Sequence, residues 1–147
     1  MAHVRKLLRD SLTTALTGLA TTGSNVYQSR VYPMDASKLP GLLVYSKEES
    51  VEYSTMGLPR IQERTVSFTL EMYVKGVSGS DNVLDQICVE IEEALYADIT
   101  LGGNAAVTTL RDFSAEFNGD GDQPVALATI TVDVLYRVRE NDPDTAI

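Results

Sequence analysis

Apolar side chains return every three or four residues near the start of the chain. Val4, Leu7, Leu8, Leu12, Ala15, Leu16 and Leu19, with Ser11 among them, share one stripe of a helix. Gly18 weakens the last turn, and Thr21-Thr22-Gly23 offers a stop in which Gly23 can take the left-handed conformation. A short strand is expected over Val26–Val31, broken by Tyr32-Pro33, with a loop over Met34–Leu39 closed by Pro40. Gly41–Lys47 reads as a second strand, apolar on both faces through Leu42 and Val44 on one side and Leu43 and Tyr45 on the other.

From Ile61 to Lys75 the period is two throughout. Val66, Phe68, Leu70, Met72 and Val74 alternate with Thr65, Ser67, Thr69, Glu71 and Tyr73, so one face is buried and one is more polar. After a flexible Gly76–Ser80, a second helix is predicted over Asp81–Ala97, capped by Ser80 or Asp81 and carrying Leu84, Ile87, Cys88, Ile91, Ala94 and Leu95 as its stripe. Gly102-Gly103-Asn104 turns the chain into a strand over Ala106–Phe117, interrupted near Asp112. Asn118–Asp122 has turn composition, and Val125–Arg139 alternates like the 61–75 segment. Asn141–Ile147 reads as a loose polar tail.

The order α-β-β-β-α-β-β predicts an α+β fold, a mainly antiparallel sheet with both helices packed on one face. The 147 residues suit one domain spanning 1–147, with no repeat and no low-complexity segment. A chain of 16.0 kDa buries roughly two-thirds of its unfolded surface, enough for one core.

Charge narrows the function classes. With 21 acidic and 12 basic residues the net charge is −9, which argues against general nucleic-acid binding through phosphate contacts. No apolar run approaches the roughly 18 residues of a membrane span, so no membrane partner is expected, and Met1–Asp10 lacks a signal-peptide core. One cysteine and one histidine leave no internal disulfide and no multi-cysteine zinc site. His3 has no second ligand beside it in sequence and reads as a surface or helix-terminal residue; Cys88, on the apolar stripe, reads as a buried, inert thiol. A calcium loop started at Glu116 places Leu127 where a bidentate acid belongs. Sequence neighbours such as Glu92-Glu93 do not face each other on a helix, and no phosphate loop, dinucleotide fingerprint or nucleophile elbow is present. The expectation is a non-enzymatic protein with no catalytic residue, cofactor or metal.

Two features point to protein contacts instead. Arg5, Lys6 and Arg9 occupy the first turns of helix one, and Glu90, Glu92, Glu93 and Asp98 lie toward the end of helix two. Both placements oppose the helix dipole, at about 0.3–1 kcal/mol per exposed charge. The errors have opposite signs, so they cancel if the two ends meet within a subunit or across a subunit boundary; solvated, unpaired faces are the alternative. The second feature is Glu48–Arg60, read as an extended arm or long hairpin leaving the sheet, with an ordinary surface loop as the alternative. It carries Glu48, Glu49 and Glu52, then the apolar tip Met56-Gly57-Leu58-Pro59 and Arg60. Such a tip either tucks back or docks on another subunit.

The stretch Thr22-Gly23-Ser24-Asn25-Val26-Tyr27, followed by Ser29-Arg30-Val31-Tyr32-Pro33 and Leu39-Pro40-Gly41-Leu42-Leu43-Val44-Tyr45, resembles the tail terminator (tail completion) proteins of long-tailed bacteriophages. The order of elements after it resembles theirs too. The resemblance implies a virion protein forming a ring, usually of six copies, at the head-proximal end of the tail. Its implied partners are itself, the tail tube protein and a head-tail connector or neck protein, with DNA only passing through the lumen. A closed ring needs two different complementary patches per subunit. Candidates are the long strands, the Glu48–Arg60 arm and the Asn141–Ile147 tail. A neck connector or tube-like subunit shares this order of elements, and a monomeric small-ligand domain is the rival from another class.

Overall fold

The computed structural model describes residues 2–23, 25–28, 40–75, 79–118 and 125–147. The Met34–Leu39 loop, the later part of the first expected strand, most of the Gly76–Ser80 connection, and the turn and calcium loop past Asn118 lie outside the described residues. The elements are α1 (Val4–Leu16), β1 (Val26–Tyr27), β2 (Gly41–Tyr53), β3 (Ile61–Lys75), α2 (Ser80–Ala97), β4 (Val107–Asn118), β5 (Val125–Arg139) and β6 (Asp142–Ala146). The sheet order is β1-β2-β3-β5-β4, with β6 paired to β5; only β1 and β2 run parallel. The α+β class and the expected order of elements hold, with one short strand added at the end.

The two long alternating segments form the centre of the sheet, paired without a break from Ile61↔Arg139 to Lys75↔Val125. Even-numbered residues of both strands therefore share one face. Val66, Phe68, Leu70 and Met72 of β3 and Ala128, Val132 and Val134 of β5 are sealed there beneath Val4, Leu8, Leu12 and Leu16 of α1 and Leu84, Ile87 and Ile91 of α2. α1 packs over β1, β2 and β6, α2 packs over β3 and β4, and the two helices touch each other.

Two bulges set which side chains reach that face. Lys47 is an extra residue between Ser46↔Phe68 and Glu48↔Ser67. It shifts the phase of β2, so that Glu49, opposite Val66, turns toward α1. Arg111 is the extra residue in β4, where the sequence shows its interruption. Beyond it Phe113 sits opposite Ile130, on the same face as Leu110.

Four expectations are corrected. α1 stops at Leu16 rather than near Gly23: Thr17 is extended at ψ 135°, and Gly18 takes φ 90°. The Thr13 and Thr17 hydroxyls bond back to the carbonyls of Arg9 and Thr13, a local competition that weakens helical continuation. At α2 the N-cap is Gly79, at φ 88°, so neither Ser80 nor Asp81 holds that position. The Glu48–Arg60 arm does not leave the sheet as a whole, because residues 48–53 extend β2 against β3 and only 54–60 project. The tail is not loose. β4 ends its pairing at Leu135, so the last turns of β5 have a bare edge, and β6 fills it through Val138↔Ala146 and an Ile147 amide bond of 3.0 Å to the Arg137 carbonyl. Pro143, which lacks a donor, is tolerated on such an edge.

Phe68 is fully buried at the centre of this layer. Phe68→Ala is expected to lower unfolding free energy by about 3–5 kcal/mol in urea titration, the cost of a large cavity.

Candidate functional site

Under the first turn of α1 the apolar face of the sheet gives way to a polar cluster. Glu49, with a side chain only 10% exposed, receives Arg5 Nη1 at 2.7 Å and Arg64 Nη1 at 3.4 Å on Oε2. Its Oε1 accepts from the hydroxyl of Tyr136, a fully buried residue. Arg64 also donates through Nε and Nη2 to Gln62 Oε1, at 3.0 and 2.6 Å, and Gln62 in turn donates to the Tyr53 hydroxyl at 3.2 Å. A carboxylate taken out of water is costly unless paired and hydrogen-bonded. Here two guanidiniums and a phenol supply that compensation. Burial, and then the adjoining carboxylate, push the Tyr136 hydroxyl far above its ordinary value, so it stays a donor.

His3 closes the cluster and caps α1. Its Nδ1 lies 3.0 Å from the Arg5 amide, and its Nε2 lies 3.0 Å from Arg64 Nη1. Both neighbours present N–H groups, and only a neutral imidazole has a lone pair to offer. Burial, reinforced by the charges of Arg5 and Arg64, lowers its pKa. The sequence had shown a helix-terminal histidine; its partner across the sheet was not visible. Arg64, Gln62 and Tyr136 were also missed, although all three sit in the buried phase of their strands, where a polar residue signals a partner.

The basic start of α1 is thus satisfied locally. Arg5 meets Glu49, Lys6 pairs with Asp10 at 2.8 Å, and Arg9 Nε donates to Gln28 at 3.1 Å. None of these partners is on α2: among the described residues no ion pair joins the two helices, although Asp10 of α1 and Asp98 at the end of α2 line one cleft between them. On α2, Glu90 accepts from the amide and hydroxyl of Thr21 at 2.9 and 2.6 Å. These bonds, led by the hydroxyl, lower its pKa. Glu92 and Glu93 are exposed and meet no cation within ion-pair distance among the described residues. Cys88 lies 4.0 Å from Met72 Sδ, and burial pushes its thiol up to about 11, so it is a poor nucleophile at neutral pH.

The hairpin tip is held out by a locked base. Arg60 donates its amide and Nε to Glu140, both at 3.1 Å, and lies 4.1 Å over the Tyr53 ring. The Glu140 amide returns a bond of 2.9 Å to the Arg60 carbonyl. Beyond this clamp Met56 is 95% exposed and Leu58 82% exposed, with Pro59 exposed beside them. Glu48 and Glu52 are exposed along the same hairpin. A further apolar strip, unrecognised in the sequence, runs along the outer side of α2 and the β4 edge through Val89, Tyr96, Leu110 and Phe113. Its phase depends on the β4 bulge, which alternation alone does not disclose.

Among the described residues no cluster of three His, Cys, Asp or Glu is placed to hold a metal ion, and no helix is long and apolar enough to cross a membrane. Comparison with protein-family models gives no match, and comparison with curated proteins gives none. Among solved structures, a chain of one titled "Virion of native gene transfer agent (GTA) particle" aligns over 92% of each chain, with 12% identity and a TM-score of 0.49.

Two measurements test the cluster. Glu49→Gln keeps the shape but strands two guanidiniums, and a loss of about 3 kcal/mol in unfolding free energy is expected. For His3, the unfolded chain takes up a proton near 6.5 and the folded chain only below that value. Its contribution is therefore fully present above 6.5 and is lost as pH falls through the lower folded value. His3→Asn, which retains a capping side chain but does not titrate, should flatten the fall in melting temperature across that range; an unchanged slope would assign the fall to other groups.

Proposed function

We propose that this chain is a structural protein of a long-tailed phage particle, a tail terminator. Six copies form a ring on the head-proximal end of the tail tube, stop tube growth and present a surface to a neck protein. It works by docking and performs no reaction. The observation that carries this proposal is the tip of the β2–β3 hairpin. Two large apolar side chains stand almost fully in water on a base fixed by an ion pair, a cation–π contact and backbone bonds. Water gives such groups no stabilisation, and a rigid mount lowers the entropy lost when they dock.

The tail enters through the resemblance of the Thr22–Tyr27 and Leu39–Tyr45 segments and of the order of elements to tail terminators. The net charge of −9 fits a lumen that lets DNA pass without gripping its phosphates. In this arrangement Met56 and Leu58 contact the last ring of the tube.

Negative-stain images of the purified protein, alone and mixed with tail tubes, test the proposal. Rings that seat on one end of each tube and limit its length are expected; scattered monomers indifferent to tubes would contradict it. Met56→Ser with Leu58→Ser should leave stability within about 0.5 kcal/mol, because neither side chain is buried, while abolishing attachment to tube ends.

A further inference from the structure

The two helices of the subunit carry opposite net charge. α1, packed on β1, β2 and β6, carries Arg5, Lys6 and Arg9 against one acid, Asp10, and the neighbouring β2 exposes Lys47 beside Glu48 and Glu52. α2, above β3 and β4, carries five acids and no base. Among the described residues the sheet has unpaired edges at β2 and β4: nothing pairs with the outer edge of β4, and β1 covers β2 only at Leu42 and Leu43.

Both helices retain charges that oppose their own dipoles. On α1 that cost is offset by Glu49 and Asp10. On α2, Glu92 and Glu93 gain no such offset among the described residues. Glu93 is exposed, and Glu92, the position before it on the helix, borders a cleft of about 170 Å³ lined also by Leu95, Tyr96, Ile99, Thr108 and Leu110. Tyr96 is 81% exposed at its rim. The α2–β4 side is thus acidic at its border and apolar at its centre. Across the molecule, Val51 and Tyr53 are exposed apolar groups on β2, on the side that carries the bases.

We propose that the α2–β4 side docks on the α1–β2 side of a second copy of this chain, with Glu92 and Glu93 facing Lys6 and Arg9 of that copy. The contact is heterologous, each subunit offering one side to each neighbour, and repetition of it closes a ring. The assignment rests on the ring proposed above and names the surfaces that build it; the Met56–Leu58 tip remains free for the tube.

Charge reversal tests this with sedimentation velocity. Lys6→Glu with Arg9→Glu makes both sides acidic, and Glu92→Lys with Glu93→Lys makes both basic. Each reversal suits its helix dipole, which offsets the loss of the Lys6–Asp10 and Arg9–Gln28 contacts, and circular dichroism checks the fold of each variant. Each variant alone should need a concentration higher by about tenfold or more to assemble. An equimolar mixture of the two should recover the wild-type species, because opposite sides then meet at every contact. Wild-type rings with unaltered assembly of both variants, or a mixture that fails to recover, would overturn the assignment of surfaces while leaving the ring intact. A wild-type protein that sediments as a monomer at every concentration would overturn both.

Discussion

Both described helices lie on one face of one sheet, and the rest of the molecule follows from that asymmetry. The face receiving them must be apolar over two fifteen-residue strands, so the chain spends its long period-two segments there. α1 reaches β1, β2 and β6, α2 covers β3 and β4, and the two helices pack against each other. The charge that each helix carries outward, basic on α1 and acidic on α2, therefore lies on the same layer of the molecule.

Where the apolar layer ends, the chain uses ions in place of more carbon. Glu49 is turned inward by the bulge at Lys47 and meets Arg5, Arg64 and Tyr136. Such a cluster contributes less net stability than a hydrophobic plug, since desolvation offsets much of the attraction. It does fix geometry. It ties the first turn of α1 to β2, β3 and β5 together, and so sets how the basic helix lies over its flank. At the same end of the sheet, Arg60 and Glu140 tie the hairpin to the β5–β6 turn and hold the apolar tip outward.

Much of the fold was legible in the sequence. β3 and β5 match their expected bounds because their alternation is unbroken, and both helices show a clear apolar stripe. What escaped has a common cause: alternation fixes phase only until a bulge resets it. The residues after Lys47 looked like an arm because their polar side chains hid a continuing strand. The tail looked loose because its pairing depends on how far β5 outruns β4, a long-range property that Asn141–Ile147 does not encode. The exposed tip and the misplaced helix charges were both visible as local violations of physical preference. Their partners were not: Arg5 found Glu49 across 44 positions of sequence.

Head-to-tail docking of unlike flanks is the central claim, and an image of the assembled protein tests it most directly. Electron cryomicroscopy of purified rings should show the end of α2 in one subunit against α1 in the next, with Glu92 and Glu93 in ion-pair reach of the neighbour's basic face. Rings joined through the face of the sheet opposite the helices, or particles no larger than one subunit, would contradict it.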